Sequence, residues 1–442
     1  MIVTKPPGPK AKAILERDAE VSSRSMARVY PLVIGKTYDV NFEDVDGNRY
    51  IDFNSGIAVM NFGYSHPKIT NAIKEQIENA THAAFLEYYS ELPVKFSEEL
   101  LHFMPYMDRV FLTNSGTESV EAAMKLSRYY TNRKYFVAFY GSFHGRSLGA
   151  LSLTSSKIVH RKYFGPFLPT IHVPYANPYR CSFEAHIKSE DECADACLNY
   201  LENAVFKNEV SPDEVAAIFV EPVQGEGGYI VPPVSFLRGL REICDKYGIL
   251  YVDDEVQAGC FRTGKFLGIE HFGIKPDIIT LAKALGGGLP LGAMVTREEI
   301  TNWPPGSHAS TFGGNLISCA AGLAVLDIMR DKKLGEEVEQ KGKYIMQHLM
   351  DLQKECRIVG NVRGLGLMIG LELVRDQGTK EPAVKERDAV IRDCFENGLA
   401  LLPAGESTIR IAPPLVITKE DLDTALEILG KSLKKASKEL LA

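Results

Sequence analysis

Short apolar runs alternate with amphipathic stretches along this chain, most clearly in its middle. Val110–Thr113, Tyr135–Tyr140, Ala217–Val220, Ile249–Val252, Ile278–Leu281 and Gly292–Val295 are runs of this kind. They suit strands buried on both faces of a mostly parallel sheet that helices cover. Between the third and fourth runs, Phe236, Leu240, Ile243, Cys244 and Tyr247 recur at helical spacing, and Gly248 stands where a C-cap belongs. The sequence therefore predicts a βαβ unit there. The chain ends differ. Tyr38–Phe53 alternates around Asp46-Gly47, a hairpin signal. Helical patterns over Leu334–Lys354 and Lys419–Leu441 flank strand patterns at Gly366–Val374 and Thr408–Ile411. The reading is α/β: a large domain over residues 61–328, and a smaller α+β domain assembled from residues 1–60 and 329–442.

Composition narrows the function classes. A chain of 442 residues with 45% hydrophobic content can bury two cores. Its formal charge of −7 and lack of polybasic runs exclude a nucleic-acid footprint and an anionic-membrane anchor. The first ten residues contain no apolar core of a signal peptide. Leu316–Leu326 is too short to span a bilayer and contains Ser318 and Gly322. Eight scattered cysteines predict reduced thiols in a cytoplasmic protein. Cys193 and Cys197, at helical i, i+4 spacing, read as small residues on a helix rather than metal ligands, so no metal site is predicted.

The chemistry-bearing residues fall at strand ends. Phe111–Thr113 runs into Asn114-Ser115-Gly116-Thr117-Glu118, a strand turning into a helix whose free N–H groups and dipole favour an anion. Ser115 and Glu118 also have capping-box spacing, and both readings can hold together. Phe143 and His144, bracketed by glycines after the next strand, can stack on a planar ring or fill a loop core. Asp253, Asp254 and Glu255 follow a buried strand, where ligands bind in open α/β sheets; a solvated acidic loop is the alternative. Glu221 and Glu226 close another strand. Lys283 ends the run Asp277–Leu281, where desolvation would free its amine for Schiff-base chemistry, or where it could simply snorkel. A phosphate cradle, a ring stacker, a buried carboxylate and a terminal lysine are together what pyridoxal 5'-phosphate (PLP) requires.

In these motifs the chain resembles the class III (ω-) aminotransferases, the group of 4-aminobutyrate, ornithine and acetylornithine aminotransferases. The matching segments are Asn114–Glu118, Phe143–Arg146, Glu221–Gly228, Asp254–Gln257, Ala282-Lys283, Thr311–Asn315 and Arg410–Pro414, in the family's order. The resemblance implies fold type I of the PLP-dependent transferases, with a mostly parallel seven-stranded sheet. It implies that Lys283 binds the cofactor aldehyde and shuttles the proton, Asp254 pairs with the pyridine nitrogen, and Val256 and Phe143 cover the two ring faces. Gln257 would bond the ring hydroxyl. Ser115, Gly116 and Thr117 would hold the phosphate, with His144 in the same cofactor-binding set. Thr311 would act from a second subunit, which makes the protein a homodimer or a tetramer built from it.

For substrate, the resemblance makes Arg410 the α-carboxylate clamp, Arg146 the distal-carboxylate cation and Glu221 the gate over Arg410. Ile57 belongs to the same substrate-binding set, and Glu226 is the candidate second acid. The implied reaction moves an amino group from an ω-amino acid, of the 4-aminobutyrate or ornithine type, to 2-oxoglutarate. Amino-acid racemases share the cofactor residues, so racemisation is the alternative. The segment Ala258-Gly-Cys260-Phe261 departs from the family's usual Thr-Gly-Phe-Gly, which leaves the wall near the ring hydroxyl unusual.

Overall fold

Apolar runs with no polar face build the central sheet. A computed structural model describes residues 1–183 and 187–440. They form two compact units, Met1–Pro67 with Val338–Ala442, and Lys68–Glu337. The breaks lie a little beyond those expected at residues 60 and 328.

In the large unit the strands are β1 (Arg109–Thr113), β2 (Tyr135–Phe139), β3 (Thr170–Val173), β4 (Val215–Val220), β5 (Leu250–Asp254), β6 (Ile278–Leu281) and β7 (Gly292–Thr296). Their spatial order is β1-β7-β6-β5-β4-β2-β3. β7 runs antiparallel to both β1 and β6, and all other pairs are parallel. Every residue of β4, β5 and β6 is buried, as a sheet covered on both faces requires. Three helices matter for the site: α1 (Gly116–Thr131), α2 (Val234–Tyr247) and α3 (Leu316–Met329). The predicted face of α2 is the buried one, through Phe236, Leu240, Ile243 and Cys244. Gly248 caps it in the left-handed region at φ 62°, where glycine carries no Cβ penalty. The run at Leu316 is the 14-residue α3, largely buried, and among the described residues no helix is long and apolar enough to cross a membrane.

The small unit has two sheets. Ile34–Tyr38, Asn41–Asp44 and Arg49–Asp52 form an antiparallel meander, with Leu399–Ala400 added in parallel. The predicted hairpin is the turn between the second and third of these strands. Val359–Leu365, Met368–Asp376, Thr408–Ile411 and Leu402–Ala404 form an antiparallel sheet. Helices Leu334–Glu355 and Lys419–Glu439 fall where the pattern placed them, and Leu441 lies outside the described residues.

One expectation is corrected. Cys181 and Cys193 form a disulfide, with Cα atoms 6.1 Å apart, so the eight cysteines are not all reduced. The other six are buried thiols, Cys197 among them.

Candidate active site

Small residues let the first turn of α1 approach the end of β5. A Cβ on Gly116 would lie 2.8 Å from Val256 Cγ1, so only glycine allows this contact. Ser115 is the N-cap, its side chain accepting from the Glu118 N–H at 3.4 Å. Glu118 reaches past the N-cap, its carboxylate accepting from Asn114 N at 2.7 Å and Nδ2 at 2.9 Å. The capping interaction is thus real but shifted by one residue. It leaves the leading amides of Gly116 and Thr117 without intrahelical partners, which is the condition for anion binding. The Thr117 hydroxyl lies 2.5 Å from Ser147 Oγ, which donates to Glu121 at 2.6 Å. Sequence reasoning missed this relay, because nothing in the spacing links residues 117, 121 and 147. Ser119 Oγ donates to Leu281 O at 3.1 Å, tying α1 to the end of β6.

The three successive acids alternate across β5, as strand geometry dictates. Asp254 is 4% exposed. Its Oδ2 lies 2.7 Å from His144 Nδ1, and its Oδ1 accepts from Val256 N at 3.1 Å. His144 is therefore not part of an exposed aromatic face. It is buried, and it acts on Asp254. Burial pulls the His144 pKa down, but the hydrogen bond to Asp254 and the charges of Asp254 and Glu221 outweigh it, and the net shift is upward. The contact thus favours the imidazolium form of His144 beside Asp254. On the other side, Asp253 is fully buried and shares its environment with Glu255, whose oxygens accept from Gly268 N and Ile269 N at 2.9 and 2.8 Å. Burial pushes Glu255 up to about 7 and Asp253 well above the usual carboxylate range. These acids form a separate pair and do not share a site with Asp254.

Two loops are stitched together by Glu221. Its oxygens accept from Phe143 N at 3.0 Å and Gly225 N at 2.9 Å. Burial raises its pKa to about 7, against the lowering effect of His144 and both amides, with the Asp254 charge raising it further. Glu226, five residues on, instead pairs with Lys157 at 2.6 Å, with side-chain exposures of 18% and 37%. The Gln257 amide packs against Gly225, and its Oε1 is buried without a hydrogen-bond partner.

Lys283 follows β6 after Ala282 and opens a short 3₁₀ turn at φ 47°. Thr280, three positions earlier, lies opposite Asp254 in the β5–β6 register. Lys283, Asp254, Val256 and the start of α1 thus gather at the C-terminal ends of β5 and β6, where α/β sheets bind ligands. Thr311 is exposed in the loop before α3; Asn114 Nδ2 donates to the adjacent Ser310 Oγ at 3.0 Å, which anchors that loop beside α1. Arg146 is exposed, with its guanidinium 5.8 Å from the Phe143 ring centroid and 3.3 Å from His160 Nε2. It forms no ion pair with a carboxylate among the described residues.

In the small unit, Arg410 is buried on the strand Thr408–Ile411 and donates to Pro403 O through Nε at 3.1 Å and Nη2 at 2.8 Å. Ile57 is 42% exposed at φ 66°, an unusual conformation for a β-branched residue.

The family model for class-III aminotransferases matches residues 22–433. The chain belongs to the class-III aminotransferase family. Among curated relatives of this class-III chain, the alanine/serine racemase of Pyrococcus horikoshii is 39% identical, over 98% of this chain and 92% of that protein. The acetylornithine aminotransferase of Methanosarcina acetivorans is also 39% identical, over 96% and 98%. Among solved structures, a taurine:2-oxoglutarate aminotransferase from Bifidobacterium kashiwanohense, in complex with PLP and glutamate, superposes with a TM-score of 0.89 at 28% identity, covering 97% of this chain and 99% of that one. An amine transaminase from an uncultivated Pseudomonas species in its PLP-bound form gives 0.86 at 29% identity, over 92% and 95%. The fold and the cofactor of this class-III enzyme are those of the PLP-dependent transaminases. Its residues fit the cofactor. Free amides at the start of α1 suit a phosphate, a buried carboxylate on an imidazole suits a protonated ring nitrogen, and the Gln257 amide and the Lys283 amine suit the ring hydroxyl and the aldehyde.

Proposed function

We propose that this enzyme transfers the amino group of an ω-amino acid or related donor to 2-oxoglutarate, in two half-reactions on one site. When bound, PLP supplies the electron sink that loosens the C–H bond on the substrate carbon that carries the amine. The chain's own residues supply the rest. Lys283 anchors the cofactor and moves the proton at the carbon that carries the amine. Asp254, in contact with His144 at 2.7 Å, holds a proton on the ring nitrogen. Val256 and Phe143 cover the ring faces, Gln257 bonds the ring hydroxyl, and Ser115, Gly116 and Thr117 take the phosphate. Arg410 takes the α-carboxylate by a fork geometry that lysine lacks. Ile57 lines the substrate, and its left-handed backbone is the kind of strain that gathers at binding sites. Thr311 acts on the phosphate of a second copy, which makes the working unit a homodimer, in the cytoplasm.

The gate over Arg410 is assigned to Glu226 rather than Glu221. A carboxylate fixed by two amides does not swing, whereas one on a partly exposed lysine exchanges partners readily. The observation that carries the transfer reading is Arg146, an exposed guanidinium beside Phe143 with no carboxylate partner among the described residues. A second carboxylate on the substrate, as in 2-oxoglutarate, is what it can take.

A second reading, amino-acid racemisation, is favoured by the names of two relatives that align with nearly the whole chain, the alanine/serine racemase and the leucine/methionine racemase of Thermococcus litoralis. One experiment separates the two. Given an amino donor alone, the holoenzyme should take up one equivalent of amino groups and stop. Addition of 2-oxoglutarate should restart it and release L-glutamate. Sustained inversion of an L-amino acid without any oxo acid, at a rate matching transfer, would assign the chain to the racemase branch.

A further inference from the structure

Arg146 is aimed by a neighbour that no motif includes. His160 Nε2 lies 3.3 Å from Arg146 Nη2, and His160 Nδ1 lies 3.1 Å from Ser156 Oγ. A guanidinium has donors only, so the first contact requires the lone pair of a neutral imidazole on Nε2. The ring proton then sits on Nδ1 and is donated to Ser156. The His160 ring meets Phe143 edge-on, with centroids 5.8 Å apart at 79°. Phe143 thus carries His160 against its ring and the guanidinium over it. Lys157 and Glu226 lie near enough to act on His160 electrostatically. Burial, Arg146 and Lys157 lower its pKa while Glu226 raises it, and the net lowering agrees with a neutral ring near pH 7. Arginine side chains lose much rotamer freedom when fixed, so an exposed arginine that must meet a carboxylate gains from a partner that fixes it beforehand.

We propose that His160 is a specificity-determining residue: through the Ser156–His160–Arg146 chain it positions Arg146 to take the distal carboxylate of a dicarboxylate substrate. This rests on the reading of Arg146 given above. The test is calorimetric binding of glutarate, a five-carbon dicarboxylate, and of butanoate to the holoenzyme at neutral pH. His160→Phe keeps the edge contact with Phe143 but removes the acceptor. It should weaken glutarate about tenfold and leave butanoate unchanged. His160→Gln, whose Oε1 can accept from the guanidinium, should recover most of the loss. In an Arg146→Ala background, His160→Phe should add nothing. Equal weakening of both ligands, no weakening of glutarate, or additivity in the double variant would overturn the proposal. If Arg146→Ala alone left glutarate binding intact, the distal-carboxylate reading itself would fall, a result distinct from a failure of His160 alone.

Discussion

Asp254 and Arg146 are both charged groups of the large unit, and their surroundings differ in kind. Asp254 is 4% exposed, fixed by a 2.7 Å contact to His144 and an amide of its own turn. Arg146 is on the surface, held by one imidazole and lying over the face of one ring. Glu221 and Glu226 repeat the contrast: the first is locked by two amides, the second paired to a partly exposed lysine. On the function proposed above, the buried end of β5 serves the cofactor chemistry and the rim carries the choice of substrate.

The sharpest break of the contrast is Lys283→Ala. Turnover should vanish while PLP remains bound by its other contacts, so that it dialyses away more easily and borohydride no longer fixes it. Asp254→Asn keeps the shape and removes the charge, and should cost about two to four orders of magnitude in kcat with cofactor retained. A near-normal rate would make Asp254 a structural residue. At the rim the effects should be smaller and selective. Glu226→Gln should lower kcat/KM for donors without an α-carboxylate about tenfold, leaving α-amino acid donors less affected. Glu221→Gln should instead depress both donor classes together and lower the melting temperature. If Glu221→Gln is the selective variant, the gate belongs to Glu221 after all.

The smallest effect concerns pH. Glu221 has its folded-state pKa raised from 4.5 to about 7, so folding favours its protonated form. The associated stabilisation is complete below about pH 4.5 and is lost as pH rises through 7. It is on the order of 3 kcal/mol at most, at roughly 1.4 kcal/mol per unit. The melting temperature of the holoenzyme should fall by a few degrees between pH 5.5 and 8.5, and Glu221→Gln should flatten part of that slope. An unchanged slope in the variant would place the titration on Glu255, which is raised to a similar value.

The central architecture was readable because its signals are local. The face of α2 repeats at helical spacing and ends on Gly248, β4 is an unbroken apolar run, and β5 and β6 are apolar but for Asp253, Asp254 and Thr280. β3 escaped notice, since its four residues include Thr170 and His172 and lie between two prolines. The motif residues of the large unit were legible as types, and Asp254, Val256 and Lys283 do converge. Their partners were not. An imidazole beside Phe143 looks like a second aromatic until the fold turns it toward Asp254. The two glutamates of Glu221–Gly228 are alike in sequence and are told apart only by the amides of Phe143 and Gly225. The Cys181–Cys193 pairing cannot be read from spacing, because connectivity is a property of the fold.

Lys283 stands at φ 47°, a conformation that a glycine adopts freely and that costs a lysine roughly 1–3 kcal/mol. Selection for foldedness alone would drift this position toward glycine, and the drift would silence the enzyme. The lysine therefore persists against its own backbone, and libraries ranked only by thermal tolerance would tend to discard the side chain on which the chemistry depends.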